Sequence, residues 1–225
     1  MKVLVACEES QAVCKAFRVK GHEAYSCDII ETSGGHPEWH IRQDVLSLIN
    51  GDCGFTTCDG VSHTVNGQWD LLIAFPPCTY LSNAGACRLY PQKGVLNIER
   101  YNKGLAAKEF FLKFLNADCP KIAVENPVPS KVFELPKHTQ DIQPYYFNDD
   151  GTHPFSKKTR LWLRGLPNLI PTTPDCKPVG GWVCGNADIW KKQAATGVVY
   201  GKEKNPKHRS KTFSGVARAM AEQWG

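Results

Sequence analysis

The chain never stays apolar for long. No run of about 18 hydrophobic residues occurs anywhere in its 225, so the sequence offers no candidate for a membrane-spanning helix. It also has no C-x-x-C pair. Its ten cysteines are scattered, and two loose sets, Cys53/Cys58/His63 and Cys176/Cys184/His208, do not match the compact spacing of a zinc site, so no metal is expected. The opening MKVLVACEES meets Glu8 and Glu9 too early for a secretory signal. Reduced thiols in the cytoplasm are therefore expected rather than a disulfide framework. There are no internal repeats.

Charge is present but unevenly spread. The first 150 residues carry 14 lysines and arginines against 18 acids, whereas the last 75 carry 13 against 4. A basic C-terminal third of this kind is either a solubilising surface or one that faces phosphates, where clustered cations release the counterions of a polyanion.

KVLVA (2–6) reads as a buried central strand, and QAVCKAFRVKG that follows has helical spacing with Gly21 where the helix should stop. EAYSCDII (23–30) is a second strand ending in an acid, Asp28. CGFTTCDGVSHTVNGQW (53–69) alternates about an Asp59–Gly60 turn and predicts a hairpin inserted at the sheet edge. LLIAF (71–75) and KIAVENP (121–127) are further buried strands. ERYNKGLAAKEFFLKFLNA (99–117) is the most helical segment, with Leu105, Phe110, Phe111, Phe114 and Leu115 on its apolar face. TRLWLRG (159–165) predicts a late strand and FSGVARAMAEQW (213–224) a closing helix. The alternation implies an α/β fold with a mostly parallel sheet and helices on both faces. The expected divisions are a core over 1–165, a small irregular basic segment over 166–210 and a closing helix over 211–225.

Ligands of such sheets sit at the carboxyl ends of the strands. CEES after the first strand, Asp28 after the second, PPC (76–78) after the fourth and EN (125–126) after the fifth all fall on that edge. Two prolines fix φ and supply no N–H, so Cys78 is held on a rigid corner, as a nucleophile must be. Glu125 adds a carboxyl group able to protonate a ring nitrogen.

PPCTYLS resembles the P-P-C-x-x-x-S motif of the cytosine-C5 DNA methyltransferases. AVENP resembles their Glu-Asn motif, and FSKKTRLWL is similar to their Gln-x-Arg-x-Arg motif. The three come in the family's order, with Glu125 47 residues after Cys78 and Arg160 35 residues later. The resemblance covers residues 1–47, 69–83, 120–165 and 209–225. It implies a Rossmann-like, class I S-adenosylmethionine-dependent methyltransferase fold and a methyl transfer to C5 of cytosine through a Cys78–C6 adduct. It further implies Glu125, Asn126, Lys158 and Arg160 as catalytic partners. It places Asp28 at the ribose and Asp44 at the adenine of S-adenosylmethionine. The expected cofactor set adds Ile29, Val45 and Pro76, with Cys7, Glu8, Glu9 and Ser10 in the first loop unless the cofactor is bound differently there. Ser82, on the PPC motif, and Lys157, Lys191, Lys192, Lys207, Arg209 and Lys211, from their positive charge, are the expected contacts to nucleic acid, and Trp182 and Trp190 are candidates to stack on a base.

Three departures stand out. The family's glycine-rich first loop is replaced by ACEESQA, which has no glycine. Ser156 stands for Gln and Lys158 for the first Arg, which keeps charge and loses the bidentate fork. Only about 45 residues (166–210) are left for reading DNA sequence, which suggests a short recognition site. Three substrate readings follow: duplex DNA, single-stranded DNA, or a free cytosine nucleotide. A reading of another class is an inactive nucleic-acid-binding protein with the same fold. A compact enzyme of this kind would suit a phage or mobile element.

Overall fold

The computed structural model describes residues 1–151, 156–178 and 211–225. Five parallel strands form the heart of the sheet: β1 (Lys2–Ala6), β2 (Glu23–Asp28), β3 (His40–Arg42), β6 (Leu71–Ala74) and β7 (Ile122–Pro127). With β8 (Gln140–Ile142) and β9 (Thr159–Arg164) the full order is β3-β2-β1-β6-β7-β9-β8. The chain steps outward one way from β1 through β2 to β3, then returns to the other side of β1 for β6 and β7. The switch point therefore lies between β1 and β6, and ligands of such sheets bind outside the carboxyl ends of the strands there.

β9 is antiparallel to both β7 and β8. The run TRLWLRG is thus a strand, but it reverses the parallel winding. Between β8 and β9 the described residues form only a single 3₁₀ turn, Pro144–Phe147, and no crossover helix of the kind a parallel return uses. The reversal brings the start of β9, Thr159 and Arg160, to the same edge as the end of β7. β4 (Cys53–Thr56) and β5 (Ser62–Val65) pair antiparallel as a separate two-stranded sheet, with Gly60 in the left-handed turn (φ 88°).

Both faces of the sheet are covered. Alternating residues of β1 go opposite ways: Leu4 and Ala6 join Leu72, Ala74, Val124 and Trp162, packed under α3 (Ile98–Leu115). Val3 and Val5 join Leu71, Ile73, Ala123 and Leu161, packed under α1 (Ala12–Val19) and α4 (Ser214–Trp224). A strand buried on both faces needs the unbroken apolar run that the sequence shows. On α3, Phe111 and Phe114 are fully buried, but Leu105 is 38% exposed. The helix approaches the core at that turn through Gly104 instead, where a Cβ would stand 2.1 Å from the ring of Phe133. The chain beyond Gly165 does not leave the core at once. Leu169 is buried with the α4 cluster, and Gln140 exchanges two side-chain hydrogen bonds with its backbone (2.7 and 2.9 Å). Among the described residues no helix is long and apolar enough to cross a membrane.

Candidate active site

The corner at 76–78 is built by the end of β6. The N–H of Phe75 still donates to the Ala6 carbonyl (3.0 Å), and Pro76 and Pro77 then cannot extend the ladder. The Cys78 carbonyl accepts from the N–H groups of Leu81 (3.1 Å) and Ser82 (2.9 Å), closing a tight turn. That turn is bonded to the loop after β7. Asn83 N–H donates to the Val128 carbonyl (2.9 Å), and Ser130 N–H donates to the Leu81 carbonyl (2.7 Å). The PPC and ENP loops are one rigid unit, so the thiol and the carboxyl group are presented together. From α3, Arg100 braces the same turn by donating to the Thr79 carbonyl (2.7 Å).

Glu125 is close enough to Cys78 for its charge to act on the thiol. The thiol of Cys78 is raised above its ordinary value, first by burial, then by the Glu125 charge, against an opposing pull from Lys157. Glu125 is partly accessible as a residue but its carboxyl end is enclosed, and burial raises it above the ordinary carboxylate value. Lys157 and a hydrogen bond from Thr159 oppose that rise. Glu125, Lys157 and Thr159 line one small cavity of about 30 Å³ with Phe75, Thr212 and Phe213. Two proton-holding groups beside one cation, at the carboxyl ends of adjacent strands, form an arrangement suited to acid–base and nucleophilic chemistry.

The basic motif divides differently from the expectation. Lys158 and Arg160 do not face Glu125. Both are bound by Asp141 of β8, at 2.7 Å and 3.2 Å, with His138 at 3.1 Å on the same carboxylate. Strand alternation is the cause. Thr159 and Leu161 share the face of Glu125, while Arg160 lies opposite Asn126 in register and so belongs to the other face. Lys157, expected at nucleic acid, is the basic residue at the thiol and the carboxyl group. Asn126 is fully buried, and among the described residues neither its Nδ2 nor its Oδ1 has a hydrogen-bond partner. Thr159, Thr212 and Phe213 were not singled out from the sequence. Thr159 could have been found from the period-two alternation of β9 once that strand was known to be antiparallel.

On the cofactor side, the loop ACEESQA reaches left-handed backbone without glycine, at Cys7 (φ 58°) and Gln11 (φ 57°). Such conformations cost non-glycine residues free energy, and at Gln11 side-chain bonds hold the turn. Gln11 bridges the loops by donating to Ser26 Oγ (3.3 Å) and the His36 carbonyl (2.8 Å), and accepting from His36 N–H (3.1 Å). Asp28 ends β2 half-buried, raised above its ordinary value chiefly by burial. Beside it Ile29 is 72% exposed, an apolar side chain left open next to an acid. The charges of Asp28 and Asp44 both reach Cys7, whose thiol is pushed up by burial first and then by these acids. Asp44 caps a 3₁₀ turn by accepting from Leu46 N–H (3.0 Å). Glu9 accepts from Ser33 N–H (3.1 Å), Ser10 takes a long bond from Ala12 N–H (3.5 Å), and Pro76 is buried.

Two further expected cofactor residues are buried. Val45 points into the core, so it has no side chain to offer. Glu8 is turned inward, accepting from the N–H groups of Val13 (2.7 Å) and Cys14 (3.1 Å). It satisfies the first turn of α1, whose own N-cap Gln11 makes no side-chain cap. Burial pushes Glu8 up to about 7 from an ordinary 4.5. Between those values the folded protein holds a proton that the unfolded chain has lost, so stability falls as pH rises from about 4.5 to about 7. In Glu8→Gln one helix-capping bond is lost at every pH, but this fall disappears. Chemical denaturation from pH 4.5 to 8 is expected to show the gap between wild type and Glu8→Gln changing by roughly 3 kcal/mol. A gap independent of pH would show that folding does not raise Glu8.

Of the implied nucleic-acid contacts, Ser82 lies on the PPC turn, and Lys211 donates to Ser33 Oγ (2.9 Å). Lys191, Lys192, Lys207, Arg209, Trp182 and Trp190 lie outside the described residues, as do Cys184 and His208. His63 is occupied by Tyr25 and Thr57 (3.1 Å each), and Cys53 is buried in the core. Among the described residues no three His, Cys, Asp or Glu side chains converge as metal ligands. No protein-family model matches the chain, and no curated protein matches it.

Proposed function

We propose that the protein transfers a methyl group from S-adenosylmethionine to C5 of cytosine in DNA, through a covalent bond between Cys78 and C6 of the base. The observation that carries this reading is the pairing of Cys78 with Glu125 on two loops stitched together at the carboxyl ends of β6 and β7. The strand order, with its switch point between β1 and β6, is compatible with a Rossmann-like methyltransferase fold. The motif resemblance at PPC, EN and FSKKTRLWL adds the substrate class.

The residues on the far side of the switch point fit the cofactor. Asp28, at the end of β2, has acceptor capacity for ribose hydroxyls beyond its one long bond from Ile30 N–H (3.3 Å). Ile29 offers an apolar surface for a flat ring, and the left-handed turns at Cys7 and Gln11 supply the bend that glycine supplies elsewhere. S-adenosylmethionine, held there, would provide an electrophilic methyl group.

C5 of cytosine is a weak nucleophile until C6 is attacked. The Cys78 thiolate adds to C6 and pushes electron density toward C5 and N3. Glu125, whose hold on a proton is strengthened by burial, donates in its protonated form to N3 and stabilises the charge that accumulates there. Because Cys78 is raised, the thiolate is a minor species at neutral pH and grows about tenfold per pH unit until its shifted value is reached. Asn126, with two unsatisfied amide atoms at the same edge, would gain partners from the base or from movement of the PPC turn. In duplex DNA the base must first leave the stack, since C6 is covered within it.

Asp28→Ala is expected to weaken S-adenosylmethionine binding by about 1–3 kcal/mol, the cost of leaving buried hydroxyls without an acceptor. Calorimetric titration measures this, and unchanged affinity would remove Asp28 from the cofactor site. The activity itself is tested by incubating the protein with labelled S-adenosylmethionine and, separately, duplex DNA, single-stranded DNA and dCMP, then analysing the nucleosides. Labelled 5-methylcytosine is expected with DNA. Label confined to dCMP would move the substrate to the free nucleotide, and label in none of the three would overturn the reading.

A further inference from the structure

We propose that Lys157, rather than Lys158 or Arg160, is the cation that positions and charges the reacting pair, acting through Cys78 and Glu125. This rests on the reading of Cys78 as the nucleophile and names a residue that the motif comparison assigned elsewhere.

The geometry is local. Lys157 and Glu125 line the same cavity. The Lys157 carbonyl accepts from Thr159 Oγ1 (3.2 Å), and that threonine stands beside Glu125 in the lining of the same cavity. Thr159 thus ties the backbone of Lys157 to the group it serves. On the other side Nζ stands 5.6 Å from the ring centroid of Phe213, at the start of α4, a cation–π distance. α4 itself is anchored on the core through Trp224, whose indole N–H donates to the Pro167 carbonyl (3.0 Å). The lysine is therefore held between β9 and the closing helix. Lys158 and Arg160, by contrast, share Asp141 on the opposite face.

The charges meeting Cys78 are Glu125, which opposes ionisation, and Lys157, which favours it; those meeting Glu125 are Lys157 and the hydroxyl of Thr159. With Glu125 protonated, its opposition is gone and the lysine remains. In the sequence of events, addition of sulfur to C6 needs the thiolate, and Lys157 stabilises that charge until it passes into the ring. The proton on Glu125 then meets the charge arriving at N3. The thiol proton leaves to solvent beforehand, the thiolate pair forms the S–C6 bond as the C5=C6 π bond breaks, N3 takes the Glu125 proton, and Lys157 keeps its own.

The test uses the intact protein and no cofactor. Alkylation of Cys78 by iodoacetamide is followed across pH by peptide mass spectrometry, with the exposed Cys87 as internal control. In Lys157→Met the profile for Cys78 is expected to move to higher pH and its rate at a fixed pH below the midpoint to fall about tenfold, one pH unit's worth. Lys157→Arg, which keeps the charge, should recover most of that loss, and Cys87 should not change in either. Lys158→Met and Arg160→Met should leave the Cys78 profile where it is. An unmoved profile in Lys157→Met, or a shift produced equally by Lys158→Met, overturns the proposal. Circular dichroism of each variant separates a misfolded protein from a displaced charge, and Lys157→Arg keeps the comparison if Lys157→Met fails to fold. A Lys157-dependent profile in a protein that never methylates cytosine would sustain this inference and reject the proposed function instead.

Discussion

Cys78→Ala is expected to lower methyl transfer by at least about 10³-fold while leaving the fold in place. Loss of a nucleophile whose adduct defines the reaction path leaves only binding and electrostatics, which give small residual rates. The thiol is only half-buried, and the turn around it is made by backbone bonds from Leu81 and Ser82. Its deletion should cost about 1 kcal/mol or less, the low end for truncating a partly buried side chain. The pair of measurements is turnover with labelled cofactor and a denaturant midpoint. A variant that keeps near wild-type turnover ends the covalent mechanism, and one that no longer folds would show that the corner is structural.

Glu125→Gln is expected to lose about 10²–10⁴-fold in kcat, the usual contribution of a positioned general acid. The amide can still donate a hydrogen bond to N3, so affinity for DNA should change little, but it cannot deliver the proton. The same substitution should stabilise the protein at alkaline pH. Glu125 is raised by burial, so ionising it is unfavourable in the folded state. Its contribution to stability is greatest below the ordinary carboxylate value and declines as pH rises through the shifted one. A glutamine does not decline. Activity lost together with stability would assign Glu125 a scaffold role, whereas activity lost with stability gained is the mark of a group kept for chemistry.

Much of the architecture could be read from residue patterns. β1 and β6 are short β-branched or aliphatic runs, and only a central strand buried on both faces accommodates them. The carboxyl edge could be read for the same reason, because each strand ended in a polar group. The direction of β9 could not. Period-two alternation in TRLWLRG says strand and is silent on parallel or antiparallel, yet that choice decides which of Lys157, Lys158 and Arg160 meets Glu125. β8 was missed because three residues, QDI, carry no period. The cap role of Glu8 was not legible because its position next to β1 suits a cofactor contact and a helix cap equally well. Only the backbone geometry at Gln11, which leaves the first turn of α1 uncapped, shows which need it meets. Leu105 obeyed the helical period and still lost its place in the core to Gly104, since a close approach to Phe133 is a tertiary matter.

The central claim is that Cys78 bonds to C6 of cytosine during turnover. The most direct measurement replaces the target cytosine by 5-fluorocytosine in an oligonucleotide, whose C5 substituent cannot leave as a proton, and adds S-adenosylmethionine. After digestion, mass spectrometry is expected to find the methylated fluoropyrimidine attached to the peptide carrying Cys78, and no such species with Cys78→Ala. Methylation of ordinary cytosine without any adduct to the fluorinated base, or an adduct on another cysteine, would contradict the account.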